Sequence, residues 1–384
     1  MRLRLLPLLL ALFAAPAAAQ DANEVNIQEL DRRARVLMGQ TDMTGMAIAV
    51  VEDGAIRFAK GYGTPLRGSG LQVDADTVFR WASVSKGVGA AVLLDAVEDG
   101  LVDPQIPVET LAPSLALPPT QDKHDVVDLL SHRIGIPRNA YDGKIEDGQA
   151  AKTVRSELGE LTYVCPPRTC HTYQNAAFDA AAEIVEEATE LPYKALVQTQ
   201  IFDPAGMTSA SVTLDGLTGS RNWARPHGRR GQRISRVKPT YYRVPAAAGV
   251  NSSVEDLARW MIALMPSEDD SGPIPNARLD AMQTPVVPTP REQRMMNRRF
   301  QRLKNSHYGL GLRVYDYEGR KVVGHRGGVE GYRALILFDP ELRSGIAMMW
   351  NSPHSQPIGM QLEYLDQLYG LPRRDWLKLN GDRS

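Results

Sequence analysis

The spacing of apolar residues changes twice along this chain, and that double change limits the folds open to it. Residues 46–60, Met-Ala-Ile-Ala-Val-Val-Glu-Asp-Gly-Ala-Ile-Arg-Phe-Ala-Lys, set two β-favouring runs around Asp53-Gly54, a pair suited to the positive φ angles of a tight hairpin. From Ser85 the period becomes helical: Val88, Ala91, Val92, Leu93, Val97 and Leu101 recur on one side, and Gly100 stands where a helix stops. Further helices are predicted over residues 124–132, 175–190, 193–202 and 255–265, the last behind a capping pattern at Ser252-Ser253-Val254-Glu255-Asp256. After about residue 306 the period returns to two, with strands over 308–315, 321–325, 332–338 and 345–350 and a turn at Glu318-Gly319. A helix over 357–369 closes the pattern. The chain therefore reads as α+β, an antiparallel sheet built from both chain ends and flanked by helices, with a mostly helical lobe inserted. Its sheet lobe covers about 27–80 and 306–370 and its helical lobe about 81–305, in one unit over residues 20–384.

Composition narrows the class. Hydrophobic residues are 43 % and charged residues 23 % of the 384, as in an ordinary water-soluble globular chain, which excludes disorder and fibrous repeats. Net charge is −1, so no global field draws nucleic acid or an anionic membrane. Two basic stretches, residues 221–238 and 291–304, lack the interleaved aromatics that base stacking needs and read as exposed loops or a solvated helix face.

Residues 1–19, MRLRLLPLLLALFAAPAAA, combine two arginines, an apolar run and a small-residue end, the pattern of a secretory signal peptide cut after Ala19. Its uncharged stretch is shorter than the ~20 residues that span a bilayer, and no later run approaches that length. Cleavage would leave no integral membrane segment, and the mature protein is expected in the periplasm or outside the cell. The two cysteines, Cys165 and Cys170 in Cys-Pro-Pro-Arg-Thr-Cys, are then expected to form a local disulfide that stiffens the segment before Tyr173. The seven histidines form no His-x-His or His-Glu-x-x-His pair, and no metal or cofactor is expected.

Ser83-Val84-Ser85-Lys86 opens the apolar helix. Residues three apart share a helix face, so Lys86 Nζ can reach Ser83 Oγ, and a serine hydroxyl becomes a nucleophile only when a neighbour takes its proton. The helix start adds backbone N–H groups near the reacting atom. A second copy, Ser235-Arg236-Val237-Lys238, runs into Pro239, which disfavours helix. Tyr173-Gln174-Asn175 opens another predicted helix, where a buried tyrosine ring and a simple N-cap would be the structural alternatives. His325-Arg326-Gly327-Gly328 ends a predicted strand, and its glycines permit close approach of another backbone or a ligand. His307-Tyr308-Gly309 lacks the second glycine and reads as the start of a strand.

Ser-x-x-Lys, Tyr-x-Asn ninety residues on and His-x-Gly a further 152 on resemble the serine-acyl hydrolases that include class C β-lactamases, D-alanyl-D-alanine carboxypeptidases, D-aminopeptidases and related esterases. The likeness extends to Phe79-Arg-Trp-Ala-Ser-Val-Ser-Lys86, Leu129-Leu-Ser-His-Arg-Ile-Gly-Ile-Pro137, Ile201-Phe-Asp-Pro-Ala-Gly-Met207 and Pro245-Ala-Ala-Ala-Gly-Val-Asn-Ser-Ser253, and covers about residues 27–369. It implies a β-lactamase-like fold, Ser83 as acylated nucleophile, Lys86 and Tyr173 sharing its proton, and Asn175 holding Lys86 and the substrate amide. The backbone N–H groups of Ser83 and Gly328 would form the oxyanion hole, with His325, Arg326 and Gly327 along the substrate. Histidine in place of the family's lysine makes the charge that would hold a substrate carboxylate dependent on pH. Arg326 replaces a small hydroxyl residue, and could clasp a carboxylate or block the cleft. The implied function is an exported hydrolase of an ester or peptide-like amide, with a D-amino-acid peptide or peptidoglycan fragment favoured over a β-lactam. The alternative is a protein that binds or senses such fragments with slow or no turnover.

Overall fold

The computed structural model describes residues 24–40, 42–234 and 236–379. The leader-like residues 1–19 and Ser235 of the second Ser-x-x-Lys lie outside the described residues.

Asp53 and Gly54 turn the chain with φ of 49° and 72°, which joins β1 (Gly45–Glu52) to β2 (Ala55–Gly63) as an antiparallel hairpin. Two short strands, β3 (Phe79–Arg80) and β4 (Asn251–Ser252), pair separately. Then come β5 (Val287–Pro288), β6 (Leu303–Tyr308), β7 (Arg313–Tyr317), β8 (Arg320–Val329), β9 (Tyr332–Asp339) and β10 (Ser344–Trp350). The main sheet has the order β2-β1-β10-β9-β8-β7-β6-β5, and its paired strands are antiparallel. Both chain ends meet where β1 lies on β10, with Ala49 opposite Ala347.

Alternate residues of β1 and β10 enter two different apolar cores. Ala47, Ala49, Ala347 and Met349 face the larger cluster with helices Ser85–Glu98 and Val254–Ala263, whereas Met46, Ile48, Met348 and Trp350 face helices Ile27–Met38 and Met360–Leu368. Helices therefore cover both faces of the sheet, and β1 and β10 read as nearly continuous apolar runs. Each fully buried Val, Leu or Ile in these layers contributes about 1.5–3 kcal/mol relative to exposure. The expected α+β arrangement is the one observed.

Several expected elements differ in detail. The strand expected over 308–315 is broken, because Gly309 N–H bonds to Leu312 O and Gly311 adopts a φ of 72° to donate to Leu130 O. The sheet also begins earlier than expected, since β5 and the start of β6 precede residue 306. The helix expected over 175–190 is interrupted at Asp179, whose carboxylate takes bonds from Arg155 and the Ala246 N–H. Residues 193–202 begin as an α-helix, Tyr193–Val197, and widen into a π-helix, Gln198–Phe202.

Candidate active site

Ser83 sits on a single 3₁₀ turn, Ala82–Val84, that feeds helix Ser85–Glu98. Ala82 before it has a φ of 49°, a left-handed conformation that a residue with a Cβ adopts only when its surroundings enforce it. Those surroundings are the segment around β4. Trp81 N–H donates to Val250 O at 2.9 Å, the Trp81 indole donates to Ser252 Oγ at 2.8 Å, and Val250 N–H donates to Ser85 Oγ at 3.0 Å. Ser83 itself is half-buried, and among the described residues its hydroxyl has no hydrogen-bond partner.

Lys86, one turn on, is fully buried. Its Nζ donates to Asn175 Oδ1 at 2.7 Å and to Ala247 O at 3.0 Å, which uses two of the three positions on the nitrogen and leaves one for proton exchange. Tyr173 and Phe178 present ring faces 4.6 and 5.3 Å away. Asn175 is no helix cap: Gln174 holds that position, and the Asn175 amide nitrogen donates instead to Asp142 Oδ2 at 2.8 Å. Both ends of that amide are therefore engaged, so a substrate amide would have to share or displace a partner. Burial raises the Asp142 carboxyl above its ordinary range, while the bond from Asn175 and the nearby Lys86 charge pull it back down.

Tyr173 is 6 % exposed, and its hydroxyl is buried without a hydrogen-bond partner. His132 clamps this residue on both sides: its carbonyl accepts from Thr172 N–H and its Nδ1 from Gln174 N–H, while its ring lies 4.3 Å from the Tyr173 ring. Just upstream, Cys165 and Cys170 are joined by the expected disulfide.

β8 supplies the opposite wall. A Cβ on Gly327 would fall 1.9 Å from Trp81 O and 3.0 Å from Ser83 N, so only glycine lets this strand lie against the serine turn. His325 is buried between Tyr308 and its own strand. Its Nδ1 faces Arg326 O at 2.9 Å and must carry the hydrogen, so Nε2 accepts from the Tyr308 hydroxyl at 3.0 Å. Burial, then the charges of Arg313 and Lys86, hold the ring neutral well below the ordinary histidine range. The pH-dependent positive charge expected at this position is thus suppressed.

Arg326 does not face Ser83. Side chains alternate along β8, so Arg326 projects to the other sheet face, opposite Leu335 and near Tyr315, and its guanidinium pairs with Glu292. Neither the carboxylate clasp nor the blocked cleft expected of it is present.

Of the sequence-derived candidates, Ser83, Lys86, Tyr173, Asn175, His325, Gly327 and Gly328 come to one site, and Arg326 stays behind the sheet. Asp142, His132, His171, Arg313 and Tyr308 join it unforeseen. Tyr308 was the middle of a competing short match, and it ends β6 rather than starting a strand. No local signal marks Asp142. Among the described residues no cluster of three His, Cys, Asp or Glu could hold a metal, and no helix is long and apolar enough to cross a membrane.

The beta-lactamase sequence family matches residues 30–371. The chain belongs to the beta-lactamase family. Members of this serine hydrolase family that resemble it include the unguisins hydrolase ungD of Aspergillus violaceofuscus, 29 % identical over 86 % of this chain and 63 % of that protein. Another is the D-alanyl-D-alanine-carboxypeptidase/endopeptidase AmpH of Escherichia coli, 27 % identical over 65 % of this chain and 66 % of its own length. A D-aminopeptidase of Gluconobacter oxydans is 24 % identical over 80 % of this chain and 55 % of its own. This beta-lactamase-family chain therefore spans less than two thirds of those relatives. Its fold matches the octameric penicillin-binding protein homologue from Pyrococcus abyssi with a TM-score of 0.81 at 24 % identity, covering 92 % of this chain and 79 % of the other.

Proposed function

We propose that this protein is an exported serine hydrolase that cleaves an ester or peptide-like amide through an acyl-enzyme on Ser83. One observation carries the reading: the buried, unpartnered Tyr173 hydroxyl belongs to a ring beside Lys86, whose Nζ is anchored by Asn175 and Ala247, one turn from Ser83. In the acylation step Ser83 Oγ attacks the substrate carbonyl and its proton passes to the Lys86–Tyr173 pair. The N–H groups of Ser83 and Gly328 receive the charge on the carbonyl oxygen. Collapse of the adduct breaks the bond to the leaving group, which takes up that proton and departs. Water then attacks the acyl-serine ester, gives a proton to the same pair, and releases the acid and Ser83.

A D-amino-acid peptide or related ester is favoured over a β-lactam. A neutral His325 stands where the family's lysine would offer a fixed charge, and the named relatives include a D-aminopeptidase and a carboxypeptidase. Export is supported by the character of residues 1–19 and by the disulfide.

The test is intact-protein mass over time for native protein and Ser83→Ala, mixed with a penicillin, a D-alanyl peptide and a short-chain activated ester. A Ser83-dependent adduct that forms and decays, with product beyond one equivalent, is expected. A persistent adduct would favour a binding or sensing protein, and no adduct with unchanged behaviour of Ser83→Ala would reject the nucleophile.

A further inference from the structure

Arg80 lies three residues before Ser83 on β3, and it is only 3 % exposed. Its guanidinium stacks 4.2 Å over the Tyr242 ring, yet its Nε and Nη2 donors are buried without a hydrogen-bond acceptor, and among the described residues it has no carboxylate partner. Three other buried arginines are matched at hydrogen-bond distance, Arg155 with Asp179 and Glu183, Arg302 with Asp366, and Arg278 with Asp95 and Glu98, while Arg313 has Glu292 at 3.7 Å. Burying a guanidinium with unmet donors is costly unless an anion comes to it.

Arg80 also lines a cavity of about 560 Å³ that touches Gly328. Arg229, Arg236, Lys238 and Arg333 add positive charge to its wall, against Glu146 and Glu330. Glu146 accepts from the Tyr241 hydroxyl at 2.7 Å, and Glu330 stands 3.9 Å from Lys238. Arg333 is committed in part to Val329 O and Tyr332 O. Arg80 is the buried cation of this wall with no bond of its own, and its planar fork suits two-point binding of a carboxylate.

We propose that this cavity is a carboxylate-binding subsite, with Arg80 as its principal ligand, that selects substrates carrying an acidic group on the Gly328 side of the scissile bond. This rests on the acyl-enzyme reading for its place in the reaction, but the site binds anions whether or not Ser83 turns over. Arg229, Arg236 and Lys238 then form one wall of a specificity pocket.

Two measurements separate the claims. In Ser83→Ala protein, calorimetric binding of glutaranilic acid is compared with that of its neutral primary amide. The acid is expected to bind at least about tenfold more tightly, and the preference should fall about tenfold in Arg80→Met and two- to threefold in the exposed Arg236→Gln. Arg236→Gln keeps the test open if Arg80→Met does not fold. Equal binding of acid and amide overturns the subsite, as does a preference unmoved by both substitutions. With Ser83 present, the kcat/KM ratio for 4-nitrophenyl hydrogen glutarate over 4-nitrophenyl 4-carbamoylbutyrate should show the same preference and the same loss. Selective binding without Ser83-dependent turnover would remove the hydrolase reading and leave the anion site standing. Turnover without acid preference would do the reverse.

Discussion

The Tyr308 hydroxyl donates to His325 Nε2 at 3.0 Å, because the Arg326 carbonyl holds the hydrogen on His325 Nδ1 and so fixes the tautomer of the ring. Burial keeps the Tyr308 hydroxyl protonated far above its usual range, so the pair stays neutral on both sides. Around it, His132 and His171 are also held below the ordinary histidine range by burial, His171 to about 3.

That cluster gives stability a defined response to acid. The unfolded chain takes up a proton on His171 near 6.5, while the folded chain refuses it until about 3, so its contribution is lost as pH falls below 6.5 and levels off near 3. His171→Phe lacks this penalty. Between pH 6.5 and 5.5 the stability of native protein relative to His171→Phe should fall by about 1 kcal/mol, measured by urea unfolding at each pH. A constant gap would mean that His171 protonates normally in the fold.

Asp142 acts through Asn175. Asp142→Ala frees the amide that presents its oxygen to Lys86, and kcat for the ester substrate should drop about tenfold with KM little changed. Asp142→Asn keeps an acceptor for Asn175 Nδ2 and should restore most of the rate. Equal losses in both variants would point to the carboxylate charge instead of the hydrogen bond.

Gly327→Ala tests the approach of β8 to the serine turn. With its Cβ 1.9 Å from Trp81 O, the strand must move away, so stability should fall by about 2 kcal/mol and kcat/KM by about a hundredfold. A variant with native melting and native rate would show that the strand yields without cost.

Arg326 now carries a prediction opposite to the one its sequence position invites. Arg326→Met should leave the ratio of acid to neutral substrate turnover unchanged, because the guanidinium is paired to Glu292 behind the sheet. It should cost about 1–2 kcal/mol of stability, softened by Arg313 at 3.7 Å from the same carboxylate. A changed substrate ratio at native stability would place Arg326 in the cleft after all.

What the amino-acid sequence determined alone is local or periodic. The hairpin at Asp53-Gly54, the helix after Ser83, the return to strands and the three short motifs were legible because turn chemistry and side-chain period act over a few residues. Tertiary structure decided what depends on distant segments meeting. Asp142 reaches Asn175, Tyr308 reaches His325, and Arg80 lines a cavity with residues 146 and 328 only because sheet register and loop packing carry them there. Which face of β8 bears Arg326 was also beyond local spacing: a one-residue alternation separates it from His325, and the neighbouring strands settle which of the two faces looks toward Ser83.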